Sequence, residues 1–133
     1  MYFSRYFHKW LYGKNGYYIS YKEIGKEGDF FTAVSTSVFF GGSIAKRLIF
    51  TIENGWLPSD TTVVEIGAHK GYLLADIIQF IYTIKPELLK TLKFAIVERF
   101  ESLQKIQKKY FYDSFGDKID LIHFNNIESL KLS

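Results

Sequence analysis

The sequence predicts an α/β fold in which an amino-terminal helical segment precedes a truncated Rossmann-like parallel sheet. Three observations predict it. First, Val63-Val64-Glu65-Ile66-Gly67-Ala68-His69-Lys70-Gly71 reads as an apolar strand running into a glycine-bearing loop, and Tyr72-Leu73-Leu74 opens a helical pattern at once. Second, strand-like runs recur over 93–97 and 119–124 at helix-length separation, which argues right-handed crossovers and a parallel sheet. Third, aromatic residues at helical spacing fill 2–12 and stop at Gly13 and Gly16, which marks a short amphipathic helix ahead of the sheet.

Taken in order, 17–28 is mixed, glycine-flanked and read as a loop or short extended piece. Ser35-Thr36-Ser37 is N-cap material for a helix over 38–54 closed by Gly55. Gly41 and Gly42 weaken that helix by about 1 kcal/mol each relative to Ala, so they mark the close approach of another backbone. Residues 1–56 thus form an aromatic, helical amino-terminal segment. From Leu57-Pro58 onward, residues 57–133 read as β-α-β-α-β: a buried strand over 62–66, a helix over 71–84 ending near Lys85-Pro86, and a strand over 93–97 closing on Glu98. A helix over 101–112 with a lysine-rich outer face and a strand over 119–124 complete the pattern.

Composition narrows the function classes. A chain of 133 residues supports one domain with a real core but is short for most cofactor-dependent α/β enzymes. Hydrophobic residues at 47% against 23% charged exclude a disordered chain. The excess of Lys and Arg gives only +3, spread rather than gathered, so nucleic-acid binding is not expected. Cysteine is absent, which excludes disulfides and thiolate metal sites and fits a reducing cytoplasm. With His only at positions 8, 69 and 123, a metal site has almost no ligands to draw on. There is no signal-peptide pattern, and the longest apolar runs fall short of a bilayer span, so a cytoplasmic protein without a membrane span is expected.

Strand, glycine turn and helix in that order place backbone N–H groups and a helix N-terminus at the carboxyl end of a parallel strand, where α/β folds bind nucleotide-like ligands. In such half-sites an acid ending the second strand accepts hydrogen bonds from ribose hydroxyls, and Glu98 stands there. It lies 31 residues after Gly67, beyond the roughly 20 of dinucleotide binders. The loop Gly67-Ala68-His69-Lys70-Gly71 also departs from Gly-x-Gly-x-x-Gly, which disfavours a nicotinamide dehydrogenase. Glu65, two residues before the first glycine, resembles instead the opening acid of the Glu/Asp-x-Gly-x-Gly-x-Gly loop of S-adenosylmethionine-dependent methyltransferases. Each feature also has a plainer role: Glu65 and Glu98 as strand-end carboxylates, Asp29 and Thr32 as helix caps, His69 as a loop residue, and Lys105, Lys108 and Lys109 as a solvated face.

Several motifs in order carry a resemblance to one family. Gly16-Tyr17-Tyr18, Gly28-Asp29-Phe30-Phe31-Thr32, Phe40-Gly41, Glu65-Ile66-Gly67, Gly71, Leu74-Ala75-Asp76, and Val97-Glu98-Arg99-Phe100-Glu101-Ser102-Leu103 with Gln107 resemble the amino-terminal portion of the MidA family. These are methyltransferases whose mitochondrial relatives help assemble respiratory complex I by methylating an arginine of a partner subunit. The resemblance implies a class I methyltransferase sheet, S-adenosylmethionine as cofactor, and a protein substrate, by analogy a respiratory complex subunit. It implies Asp29, Thr32, Glu65, Gly67, Ala68, Gly71 and Glu98 as cofactor-binding candidates, and it assigns no catalytic residue. Two departures stand out: His69 replaces the middle glycine of the loop, and the family's Thr-Ser-Pro-Glu appears as Thr32-Ala33-Val34-Ser35, without its acid.

In the methyltransferase sheet the first strand lies between the second and a fourth that this sequence does not contain. An amino-terminal fragment is therefore expected, with 63–66 as an exposed apolar edge that self-associates or pairs with a missing carboxyl-terminal half. The rival expectation is a non-catalytic protein-interaction module or an inactive truncated copy.

Overall fold

The structure is a computed structural model and describes residues 38–130. The helix expected over 2–12, the 17–28 segment, the caps Ser35-Thr36-Ser37 and the candidate site residues Asp29 and Thr32 lie outside the described residues. The described elements belong to one compact unit, Thr36–Ser133. They run α1 (Phe39–Glu53), β1 (Thr62–Ile66), α2 (Tyr72–Ile84), a 3-10 turn (Pro86–Lys90), β2 (Lys93–Val97), α3 (Glu101–Phe115), β3 (Leu121–Phe124) and a 3-10 turn (Ile127–Ser129).

α1 ends where its glycine permits. Gly55 takes φ +74, its N–H donates to the Ile52 carbonyl, and the Trp56 N–H donates to Thr51, both at 3.0 Å. Two carbonyls that the helix end would orphan are thereby satisfied, and Trp56 packs edge-on against Phe50 with centroids 5.8 Å apart. The buried stripe Gly41, Gly42, Ala45, Ile49 faces α2, whose Leu74, Ala75, Ile77, Ile78 and Ile81 form the centre of the core. The two glycines sit at this crossing. A Cβ on Gly41 would lie 2.6 Å from the Asp76 Cβ and 3.3 Å from the Ile77 amide nitrogen, and one on Gly42 would lie 2.7 Å from the Phe80 ring. The missing side chains let the helices approach, and an ion pair between Lys85 and Glu53 joins their far ends.

α2 stops before Pro86, which opens the 3-10 turn at a position where no amide donor is needed. α3 runs three residues past its expected end at Tyr112. Phe115 adds its ring to that of Phe111, centroids 5.7 Å apart, and packs on the core, which carries the helix through the polar Asp113-Ser114. β3 is shorter than expected because its pairing begins at Leu121 opposite Phe94; Ile119 packs against the core without joining the ladder.

The sheet is parallel in order β1-β2-β3, as a Rossmann-like half requires, with Ile66 opposite Val97 and Val97 opposite Phe124. β2, in the middle, buries Phe94, Ala95, Ile96 and Val97. β1 was expected to be a buried strand but is mostly half-buried, and Ile66 is 60% exposed. Among the described residues it pairs with β2 alone, so its outer backbone groups form a free edge.

Candidate cofactor site

The register brings the ends of β1 and β2 side by side, so the loop 67–71 leaves the sheet next to Glu98. The Gly67 N–H reaches the Val97 carbonyl at 3.4 Å, and the Glu98 N–H donates to Phe124 at 2.9 Å, which carries the ladder past the strand ends. The loop takes positive φ at every second residue: Gly67 at +71, His69 at +52, Gly71 at +88. His69 thus occupies the left-handed region that the family's glycine would enter freely. Gly71 caps α2, and its N–H closes on the Ala68 carbonyl at 2.8 Å. A Cβ there would meet Phe111 at 3.0 Å, whereas one on Gly67 would meet nothing within 4 Å. Gly71 is required by backbone and packing together; among the described residues nothing fills the space in front of Gly67. Ala68 is buried against the core.

Glu65, next to last in β1, has one carboxylate oxygen, Oε2, buried and without a hydrogen-bond partner. Burial pushes its carboxyl up from 4.5 to about 7, while a hydrogen bond from the Leu74 backbone N–H at the start of α2 pulls the other way. Because the folded-state value is raised, the native state holds a proton that the unfolded chain releases, and stability falls as pH rises from 4.5 to about 7. Asp76, also raised by burial, acts in the same sense. His123, lowered from 6.5 to about 4 by burial and by Lys108, acts in the opposite sense between those values. Relative to wild type, Glu65→Gln should therefore gain stability steadily from pH 4.5 to 7. Denaturant unfolding at a series of pH values measures this, and a constant difference between the two proteins would show that Glu65 ionises as if in water.

Glu98 is 6% exposed. Its Oε1 accepts from the Phe100 N–H at 3.0 Å and its Oε2 from the Gln107 side-chain amide at 3.2 Å. About two of its four acceptor positions remain for a ligand. Two glutamines of α3 hold this edge together. Gln104 donates to the Glu98 carbonyl at 2.7 Å and to Asn125 at 2.8 Å. Gln107, with no exposed surface, donates to the His69 carbonyl at 2.7 Å and faces His123 Nε2 at 2.9 Å. Neither glutamine was singled out as a site residue from sequence. The available signal was the apolar stripe Leu103, Gln107, Phe111 at four-residue spacing, in which an amide stands where a hydrophobic residue is expected.

The structure thus brings Glu65, Gly67, Ala68, Gly71 and Glu98 to one end of two adjacent strands. The residues fit an adenosyl cofactor on two counts: a buried carboxylate oxygen with no partner stands beside a loop with open space at Gly67, and the acid on the neighbouring strand keeps spare acceptor capacity. Among the described residues no group of three or more His, Cys, Asp or Glu is placed to hold a metal ion, and no helix is long and apolar enough to cross a membrane.

The family model described as "Putative S-adenosyl-L-methionine-dependent methyltransferase" matches residues 44–131, from within α1 to beyond β3. The chain belongs to this family. The family-level resemblance read from the loop and strand-end motifs is therefore borne out. The mitochondrial protein arginine methyltransferase NDUFAF7 homolog of Drosophila melanogaster is 26% identical over 110 residues, 82% of this chain and 25% of the relative. A solved Burkholderia thailandensis protein bound to S-adenosyl-homocysteine superposes with TM-score 0.68 at 23% identity, over 91% of this chain and 32% of its own. A native structure of an uncharacterized protein of the same superfamily and organism gives TM-score 0.61 at 24% identity, over 96% and 31%. These likenesses show the class I methyltransferase fold. The chain spans about a quarter of the curated relative and about a third of the two solved proteins.

Proposed function

We propose that the carboxyl edge of β1 and β2 binds S-adenosylmethionine and that the chain is the cofactor-binding portion of a protein methyltransferase acting on arginine. The orphaned Glu65 Oε2 beside the glycine loop carries this reading, because a buried carboxylate oxygen without a partner calls for a donor. The ammonium of the cofactor's methionine end is such a donor, with the space at Gly67 leaving room for it, Ala68 and Gly71 shaping the turn, and Glu98 accepting from the ribose hydroxyls. Asp29 and Thr32 complete the set by resemblance. When bound, the cofactor supplies an electrophilic methyl group; the residues of this chain bind and orient it, and none of the described side chains is assigned as catalytic. The name of the Drosophila relative supports arginine as acceptor, and the family resemblance supports a respiratory complex subunit as substrate. A cytoplasmic location rests on the lack of cysteine, against the mitochondrial name of that relative.

S-adenosyl-homocysteine should raise the melting temperature of the chain and NAD should not. At a hundredfold excess over Kd the stabilisation is about 2.7 kcal/mol. Equal shifts, or a shift with NAD alone, would refute the assignment.

The free edge of β1 and the 60% exposure of Ile66 favour a second reading, a non-catalytic module that pairs with another chain. On either reading the 133-residue chain should self-associate, and a carboxyl-terminal portion of the family supplied in trans should suppress this. Light scattering over a concentration series measures both, and a monodisperse monomer throughout would count against an available edge.

A further inference from the structure

We infer that Gln107 is a positioning residue that locks the glycine loop to the strand-end acid, so that the two ends of the cofactor are held by one buried amide. The inference rests on the cofactor reading above. The side-chain nitrogen of Gln107 has two N–H groups, and both are used: one donates to the His69 carbonyl at 2.7 Å and the other to Glu98 Oε2 at 3.2 Å. Its oxygen faces His123 Nε2 at 2.9 Å. The two acceptors facing its nitrogen fix the amide's orientation, and an amide oxygen can only accept, so His123 carries its proton on Nε2. His123 is held neutral at pH 7 by burial, which leaves a single N–H and matches a buried Nδ1 without a partner.

The three partners come from three places at the carboxyl edge: the loop after β1, the end of β2, and β3. His69 sits in the left-handed region at φ +52, where a residue with a Cβ is strained. The bond from Gln107 to its carbonyl holds it there. The same amide fixes which way the Glu98 carboxylate points, and thus which of its acceptor positions stay free. A helix that served packing alone would place an aliphatic residue between Leu103 and Phe111. The amide is fully buried and each of its polar atoms has a partner, as a polar group retained for geometry should have.

Gln107→Met keeps the length of the side chain and removes all three bonds. Gln107→Glu keeps the acceptor toward His123 and removes both donors. In the free chain both variants should raise amide hydrogen exchange in loop 67–71 while α1 and α2 stay protected. With S-adenosyl-homocysteine both should lose at least tenfold in affinity. When either is combined with Glu98→Gln, the double variant should lose less than the product of the two single losses, because part of the effect of Gln107 passes through Glu98. Full affinity in either folded variant, or losses that multiply with Glu98→Gln, would overturn the positioning role while leaving the cofactor reading intact. A wild-type chain that binds no S-adenosyl-homocysteine would overturn the cofactor reading and the positioning role with it. The exchange measurement needs no cofactor and would still decide whether the lock on the loop exists: unchanged loop exchange refutes it.

Discussion

Replacing Gly71 by Ala is expected to lower the melting temperature by about 8 °C. Two costs combine. Gly71 has φ +88, a conformation that costs a residue with a Cβ about 1–2 kcal/mol. The added Cβ would also lie 3.0 Å from Phe111 Cε2. That ring cannot move freely, since it makes edge contacts with Tyr110 and Phe115, and overpacking of this kind costs about 1–3 kcal/mol. The smaller conformational freedom of Ala in the unfolded chain returns about 0.4–1 kcal/mol. A net loss of about 2 kcal/mol, at roughly 4 °C for each, gives the expected shift. Gly67→Ala separates the two costs: its φ is +71 but a Cβ there meets nothing within 4 Å, so its shift should be clearly smaller. Thermal unfolding followed by circular dichroism measures both, and equal shifts would show that the contact with Phe111 carries no weight.

Glu98→Gln should weaken S-adenosyl-homocysteine binding at least tenfold. Hydrogen bonds to a charged acceptor are worth about 1.5–3 kcal/mol, and the substitution removes the charge that would meet the ribose hydroxyls. The structure adds a second effect. Both oxygens of Glu98 already accept, from the Phe100 N–H and from Gln107. A glutamine has one oxygen, so its NH2 group must face one of those donors, and the melting temperature should fall as well. Calorimetric titration of the folded variant isolates the affinity. Unchanged affinity alongside a lowered melting temperature would reduce Glu98 to a clasp for the end of β2.

The agreement and disagreement between sequence and structure follow one physical distinction. β1, β2 and the start of α3 lie where the pattern placed them, because short apolar runs that close on an acid or run into a glycine turn are local signals. The end of α3 was misplaced because Phe115 gains its burial from contacts that the run Asp113-Ser114 does not announce. The burial of β1 was overstated for a related reason: Val63-Val64-Glu65-Ile66 is equally apolar in the middle or at the edge of a sheet, and its neighbours decide which it is.

At the site, the glycines and both glutamates were legible because strand-end chemistry is read along the chain. Gln107 was legible only as a residue of the family resemblance, without a role, and His123 was not legible as part of the site. The partners of Gln107 are 38 residues away at His69, nine at Glu98 and sixteen at His123, and only the fold closes those separations. The sequence by itself determined the order of elements, the glycine turn and the two acids at the strand ends, since each depends on residues within a few positions of one another. Only the tertiary structure decided that Glu65 is left with an unpartnered oxygen, that Glu98 is already clasped, and that one buried amide spans the loop and the neighbouring strand. Desolvation and hydrogen-bond partners are properties of what the fold brings close.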